Sequence, residues 1–289
     1  MLVYLNGKFV PREQAAISVD DRGFLFGDSL YEVIRSYNGF FFEREAHLRR
    51  LRNGLEALRI HVREFDRLEE IACRLIADNG LAETDATIYF QITRGAPATR
   101  KHAFPDPEVP PTVYVATNPL KLKSEWAENG IAVITISDLR WGRCDLKTTN
   151  LLPNVLANQQ AHEAGAEEAI LVRKGMVVEG SHSNVFAVLA GVVVTHPNAP
   201  VLLPGITRKV AIDLCRQLHL PIEEKPISRN QFQQAEEVFL TLTTAEMAPV
   251  VRIDGKVVGN GQPGAITRRL QQAFAEYVRA ARERMTSAG

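Results

Sequence analysis

Dipeptides closed by glycine, set between runs of β-forming residues, do more than any other feature to limit the folds open to this 289-residue chain. Asn6-Gly7 lies between Val3-Tyr4-Leu5 and Phe9-Val10, and Asn38-Gly39 joins the run Leu30 to Tyr37 to Phe40-Phe41-Phe42. Asn-Gly in that setting predicts a hairpin, because a type I′ turn needs positive φ at both central residues. Lys174-Gly175, Ala190-Gly191 and Asp254-Gly255 read as further hairpin turns. Helices fall between these clusters. Leu48, Leu51, Leu55 and Leu58 recur at spacings of three and four, which gives one apolar stripe. A second helix is expected over 66–79, with Leu68, Ile71, Ala72 and Leu75 inward and Gly80 as its stop. Others are expected over 151–163 (Asn150 as cap, Gly165 at the end), over 206–219, and from about Ala265. Single strands are expected over 86–94, 112–117, 131–136 and 237–242. Without a regular βαβα alternation, the pattern predicts an α+β protein with mixed and antiparallel sheets and flanking helices.

The length fits two domains of roughly 100–200 residues each. The segment 118–125 resembles a linker, so a smaller amino-terminal α/β domain (1–120) and a larger carboxy-terminal one (121–289) are expected. Residues 95–111 are rich in Pro, Ala and charge and predict a long loop; loops of that length in compact domains are often functional. Thirty-four basic residues balance thirty-four acidic ones, which removes the overall electrostatic argument for a nucleic-acid partner. No apolar run approaches the ~20 residues of a membrane span, and the first residues show no charged-then-apolar signal. Cys73, Cys144 and Cys215 are odd in number and far apart, which suits a reducing cytoplasm and no disulfide framework.

Most chemical motifs are missing. There is no P-loop lysine motif, no HExxH and no GxSxG, and seven scattered histidines offer no metal-ligand pair at helical spacing, so no metal site is expected. Gly259, Gly261 and Gly264 match GxGxxG, but only twenty-five residues follow them, too few for the rest of a nucleotide-binding βαβ unit. Four segments carry ordinary and chemical readings side by side. Lys147 stands alone among small polar residues in the segment 144–150; such a lysine is usually solvated. Residues 179–184, Glu-Gly-Ser-His-Ser-Asn, suit a turn or a ligand equally. Ile206-Thr207 opens a helix after Gly205, where free N–H groups favour an anion, although capping alone explains the threonine. Thr243 and Glu246 stand at capping-box spacing. Together they supply an amine, a carboxylate and two hydroxyl-bearing cradles, the inventory that a phosphorylated aldehyde cofactor requires.

Several of these segments, with others, carry a resemblance over nearly the whole chain. Asp21-Arg22-Gly23-Phe24-Leu25-Phe26-Gly27-Asp28 with Tyr31-Glu32, Arg94-Gly95, the run 143–147 and Asn150-Leu151-Leu152 are four of its anchors. Glu179-Gly180-Ser181, the run 183–186 and Gly205-Ile206-Thr207-Arg208 complete it. The sequence resembles the class IV, fold-type IV pyridoxal-phosphate aminotransferases, and within them the bacterial D-amino acid transaminases most of all. The resemblance implies a two-domain α+β subunit of a homodimer, with pyridoxal 5′-phosphate in the domain cleft. It implies that Lys147 joins the cofactor aldehyde through its side-chain nitrogen and, once displaced by a substrate amine, moves the proton at Cα. Glu179 would pair with the ring nitrogen and keep it protonated; Arg50, Ile206, Thr207 and Thr243 would bind the phosphate. Arg50 lies off the leucine stripe, so a solvated face is its ordinary reading.

For the substrate, the resemblance implies that Arg100, His102 and Tyr31 capture the α-carboxylate, arginine being the natural bidentate clamp. The sequence departs from the group around Gly95–Thr99 and at His182, where a small hydroxyl residue is usual. The implied reaction converts D-alanine and 2-oxoglutarate to pyruvate and D-glutamate. Two alternatives share the scaffold: a branched-chain L-amino acid transaminase and an aminodeoxychorismate lyase. A non-enzymatic binding protein is a third.

Overall fold

The computed structural model describes residues 1–286, with side chains through residue 284. The chain forms two compact units: Met1–Lys121 together with Leu146–Asn150, and Leu122–Asp145 together with the chain from Leu151 onward. The main boundary falls between residues 121 and 122, and the short stretch carrying Lys147 groups with the first unit.

The first unit contains β1 (Leu2–Leu5), β2 (Lys8–Pro11), α1 (Arg22–Phe26), β3 (Ser29–Tyr37), β4 (Phe40–Phe41), α2 (Arg44–Leu58), α3 (Leu68–Asp78), β5 (Ala86–Thr93) and β6 (Val113–Pro119). Its six strands pair antiparallel in the order β2-β1-β6-β5-β3-β4. Both Asn-Gly turns form, with φ of 47° and 89° at Asn6-Gly7 and 48° and 84° at Asn38-Gly39. On one sheet face Leu30 and Ile34 of β3 and Ile88, Phe90 and Ile92 of β5 share a core with Leu51, Leu55, Leu68, Ile71 and Leu75 of α2 and α3. Each such side chain contributes about 1.5–3 kcal/mol on burial. Alternation sends Tyr31, Val33, Tyr89 and Gln91 to the other face.

The second unit contains α4 (Ser124–Asn129), β7 (Ile131–Ser137), α5 (Leu152–Glu163), β8 (Glu168–Arg173), β9 (Met176–Gly180), β10 (Asn184–Leu189), β11 (Val192–Thr195), α6 (Ile206–Gln217), β12 (Ile222–Glu224), β13 (Ile227–Ser228), α7 (Arg229–Gln233), β14 (Glu237–Leu242), β15 (Glu246–Ile253), β16 (Lys256–Val257) and α8 (Ala265–Thr286). A ten-stranded sheet runs β12-β11-β10-β14-β15-β7-β8-β9-β13, with β16 on β15. It is mixed, with parallel pairs at β11/β12, β7/β8 and β15/β7. The predicted hairpins at 174–175, 190–191 and 254–255 are present, each with two positive φ values. The fold class is α+β, as the sequence predicts. Among the described residues no helix is long and apolar enough to cross a membrane.

Three local expectations fail for identifiable reasons. Thr243 and Glu246 do not cap a helix: β14 and β15 form a hairpin with Leu242 opposite Glu246, so ladder pairing claims that spacing. Asn150 does not cap α5, since its amide donates to the Gly27 carbonyl (3.2 Å) and no side chain caps the helix. The segment 118–125 is only partly a linker: β6 continues through Pro119 and α4 begins at Ser124. The GxGxxG glycines have a structural use. Gly259 and Gly261 adopt positive φ ahead of α8, and the Glu237 carboxylate accepts from Ile266 N (3.0 Å) and Thr267 N (2.8 Å). A carboxylate thus occupies the helix end where a phosphate would bind in a nucleotide site.

Candidate active site

In the first unit, the stretch bearing Lys147 runs beside the start of β3. Tyr31 donates its N–H to the Lys147 carbonyl (2.9 Å), Thr149 donates to the Ser29 carbonyl (3.2 Å), and the Ser29 and Thr149 hydroxyls hydrogen-bond to each other. Leu30 and Thr148 form an antiparallel bridge. These contacts fix the backbone on both sides of Lys147, whose Nζ lies 4.3 Å from the centroid of the Tyr31 ring. Tyr31 stacks on Tyr89 (5.8 Å), and Tyr89 meets Tyr114 edge-on (6.3 Å) and donates its hydroxyl to Gln91 Oε1 (2.8 Å). Burial, with Tyr31 and Tyr114 nearby, pushes the Tyr89 phenol up to about 12, so it stays a neutral donor. Lys147 and Tyr31, both picked out in the sequence, are thus brought together.

Arg50 is not on a solvated face. Its Nε and Nη2 fork onto Glu32 (2.9 and 2.7 Å), and Glu32 is fully buried. His47 Nδ1 is 3.0 Å from the same carboxylate. Burial opposes the charge on Glu32, but Arg50 and His47 overcome it and hold the carboxyl well below its usual range. Burial also lowers the His47 value, more than Glu32 restores it, so His47 is a neutral ring donating Nδ1–H. The permanent cation beside Glu32 is Arg50.

Arg100 and His102 lie in the long loop, both exposed. The Arg100 guanidinium sits 4.6 Å over the Phe26 ring and the His102 ring 5.4 Å from it. Among the described residues no hydrogen bond, ion pair or ring contact joins either to Tyr31 or Lys147.

In the second unit, Glu179 ends β9 with its carboxylate buried. Oε1 accepts from Arg140 Nη1; Oε2 accepts from Asn184 Nδ2 (3.2 Å) and Leu203 N (3.1 Å). Arg140 also forks onto Asp138 (2.9 and 3.0 Å), which accepts from Arg173 Nε (2.9 Å). Burial pushes the Glu179 carboxyl up to about 7 despite Arg140. The carboxylate is therefore under-compensated and suits a further cationic N–H. The adjoining turn is held by Glu168, whose oxygens accept from Ser181 N (3.1 Å), Ser181 Oγ (2.5 Å), His182 N (3.3 Å) and Ser183 Oγ (2.9 Å). That turn leads into Asn184, which touches Glu179.

At the start of α6 no side chain caps Gly205, and Ile206 and Thr207 are buried. The amide end of this helix is thus available to an anion. A Cβ at Gly205 would collide with Asn184 Oδ1. Thr241, directly across the ladder from Asn184, has a buried hydroxyl without a protein partner, and Thr243 lies in the hairpin turn just beyond it.

Sequence reasoning missed Arg140, Asp138 and Glu168 around Glu179, and His47 and Tyr89 in the first unit. Glu168 carries no motif of its own. A register linking Tyr31 to Tyr89 would have exposed the tyrosine stack, but antiparallel register is set by long-range pairing.

The class IV amino-transferase profile matches residues 29–253. The D-alanine aminotransferase of Bacillus licheniformis is 40% identical over 274 residues, covering 95% of this chain and 96% of the relative. That of Staphylococcus epidermidis strain ATCC 12228 is 40% identical over 277 residues, covering 96% and 97%. Among solved structures, the branched-chain amino acid aminotransferase of Escherichia coli superposes with a TM-score of 0.87 at 30% identity, covering 95% of this chain and 93% of its own. The branched-chain aminotransferase of Thermoproteus uzoniensis, solved with norvaline, gives 0.86 at 29%, covering 98% and 96%. With more than half its length in the profile and relatives matched almost end to end, this chain belongs to the class IV aminotransferases.

Proposed function

We propose that the protein is a pyridoxal-phosphate-dependent D-amino acid transaminase, converting D-alanine and 2-oxoglutarate to pyruvate and D-glutamate. The observation that carries the substrate class is the 40% identity to D-alanine aminotransferases over nearly the whole chain. The residues present fit the cofactor. A buried carboxylate with its affinity for a proton raised suits a ring N–H, and the orphaned Thr241 hydroxyl beside an uncapped helix start suits a phosphate. When bound, pyridoxal phosphate supplies an aldehyde for amines and a ring that accepts the electron pair left at Cα.

The chain's own groups do the rest. Lys147 Nζ is the amine that takes the proton from Cα and returns it, with its backbone held against β3 so that only the side chain moves. Glu179 holds a proton at the ring nitrogen, and Arg140 sets how firmly it does so. Arg50, oriented by Glu32, and the amides and hydroxyls of Ile206, Thr207 and Thr243 hold the phosphate. Tyr31, Arg100 and His102 hold the substrate carboxylate. Arg100 and His102 are exposed in the single chain, and the homodimer that the resemblance implies is part of this reading. Three free cysteines suit a cytoplasmic enzyme.

The structural neighbours favour a second reading, a branched-chain L-amino acid transaminase. Turnover of D- and L-amino acids against 2-oxoglutarate separates the two. D-alanine should react far faster than L-valine, and the reverse order would establish the second reading. Lys147→Ala should abolish the yellow visible band; a variant that keeps it would remove Lys147 from the chemistry.

A further inference from the structure

The loop between β5 and β6 contains no helix or strand, yet the first unit grips it at two levels. At the base, fully buried Asp21 spans both ends: Oδ2 accepts from Thr93 Oγ1 (2.9 Å) and Thr112 Oγ1 (2.6 Å), and Oδ1 from Gly23 N (2.8 Å). Gly95 sits at φ +90°, and a Cβ there would collide with the Pro110 carbonyl oxygen, so the two limbs pass this closely only with glycine. At the tip, Arg22, 4% exposed, points its guanidinium at three successive carbonyls. Nη1 donates to Lys101 O (2.5 Å) and Ala103 O (3.2 Å), and Nη2 to His102 O (3.2 Å). Its Nε donates to Asp28 Oδ2 (2.8 Å), and Arg94 forks onto the same carboxylate (2.8 and 3.0 Å). Phe26 completes the seat, with Arg22, Arg100 and His102 all against its ring (4.8, 4.6 and 5.4 Å).

Exposed carbonyls need no protein donor, because water satisfies them. A buried cation spent on three consecutive ones serves to fix the shape of the segment that carries them, since charge-assisted bonds are the strong ones. We infer that Arg22 is a positioning residue for substrate capture: it holds 101–103 so that Arg100 and His102 are presented in one arrangement before substrate arrives. The inference rests on the reading that those two residues bind the substrate carboxylate. Without the grip, the loop would be ordered only on binding, and that cost falls on capture, not on proton transfer.

The test uses the holoenzyme and three variants, Arg22→Gln, Arg22→Lys and Arg100→Ala. The readouts are trypsin cleavage after Lys101, KM and kcat for D-alanine, and the visible absorption of the bound cofactor. Lysine keeps a cation beside Asp28 but cannot reach three carbonyls, so Arg22→Lys decides the matter should the glutamine variant fail to fold. Both Arg22 variants should be cut at least several-fold faster and show KM raised roughly tenfold, as expected from ordering two long side chains at capture. Their kcat and absorption should change less than about twofold. Arg100→Ala should raise KM without faster cleavage. Unchanged cleavage in the Arg22 variants overturns the grip. Faster cleavage with unchanged KM, while Arg100→Ala raises KM, overturns the positioning role and leaves the capture reading standing. An unchanged KM in all three overturns the capture reading and the positioning role with it.

Discussion

The Glu179 carboxylate and the Arg140 guanidinium pair with both side chains almost wholly withdrawn from water, 6% and 7% exposed. Burial nevertheless dominates and lifts the Glu179 carboxyl from 4.5 to about 7. A carboxyl whose folded value is raised keeps its proton longer in the native state than in the unfolded one. Its contribution to stability is complete below pH 4.5 and is lost as pH rises toward 7. Glu179→Gln removes that titration and leaves Arg140 paired with Asp138. In the apoprotein, the stability difference between variant and wild type should therefore move in favour of glutamine between pH 4.5 and 7.5. The expected size is on the order of 2–3 kcal/mol. Urea melts at both pH values measure it; a difference that does not change with pH would mean the carboxyl is not perturbed.

Glu32 shows the opposite balance. Its folded value is depressed, so the stability it contributes is present above pH 4.5 and is lost as the solution is acidified below it. Glu32→Ala would leave the Arg50 guanidinium, 11% exposed, without its fork. Breaking a buried pair by removing one partner costs about 3–5 kcal/mol. The variant should lose that much in denaturant melts at pH 7 and, on the phosphate role proposed for Arg50, bind pyridoxal phosphate more weakly. A loss below about 1 kcal/mol would show that the pair is not the buried fork described.

How much of this was legible in the sequence follows the range of the interactions. Asn6-Gly7 and Asn38-Gly39 were readable because two residues decide a type I′ turn, and the leucines of α2 because one helix face suffices. The resemblance pointed to Lys147 and Glu179 but not to what sets their properties. Arg140 reaches Glu179 across 39 residues, and Arg22 reaches Lys101 across 79. Where local rules failed, another partner had claimed the group: distant Gly27 takes the Asn150 amide, and the β14–β15 hairpin pairs Glu246 with Leu242.

At the turn beyond Glu179, the departure at His182 and the ordinary residue Glu168 should differ sharply in consequence. His182 is 46% exposed and contributes Nδ1 at 3.0 Å to a carboxylate that has the donors of Ser181 and Ser183 as well. His182→Ser should change stability by no more than about 1 kcal/mol, the range of half-exposed ion pairs. Glu168→Ala would orphan buried donors, Ser181 N and Oγ and Ser183 Oγ among them, each costing about 1–3 kcal/mol when unsatisfied. It should cost several kcal/mol and weaken cofactor binding through Asn184. Thermal melts and cofactor titrations of the two variants check the contrast; equal effects would contradict it.

The helix α5 is packed the wrong way round for a lone subunit. It buries only Ala157 and Ala161, while Leu152, Val155 and Leu156 are 69%, 58% and 54% exposed. Spacings of three and four place those three on one face. Leu139 and Trp141, 81% and 44% exposed, lie in the nearby 138–141 segment, and Leu139, Leu152 and Leu156 line a cavity of about 380 Å³. Contiguous exposed apolar surface of this kind marks an interaction site, and each large side chain removed from water contributes about 1.5–3 kcal/mol. A second copy of the chain is the occupant consistent with the homodimer proposed above. Leu156→Glu would place a charge at the centre of that face, and desolvating it should cost more than the leucine gained. Sedimentation at micromolar concentration should show the wild type as a dimer and the variant as a folded monomer with raised KM for D-alanine. A monomeric wild type, or a variant that stays dimeric, would show that the face of α5 serves something other than self-association.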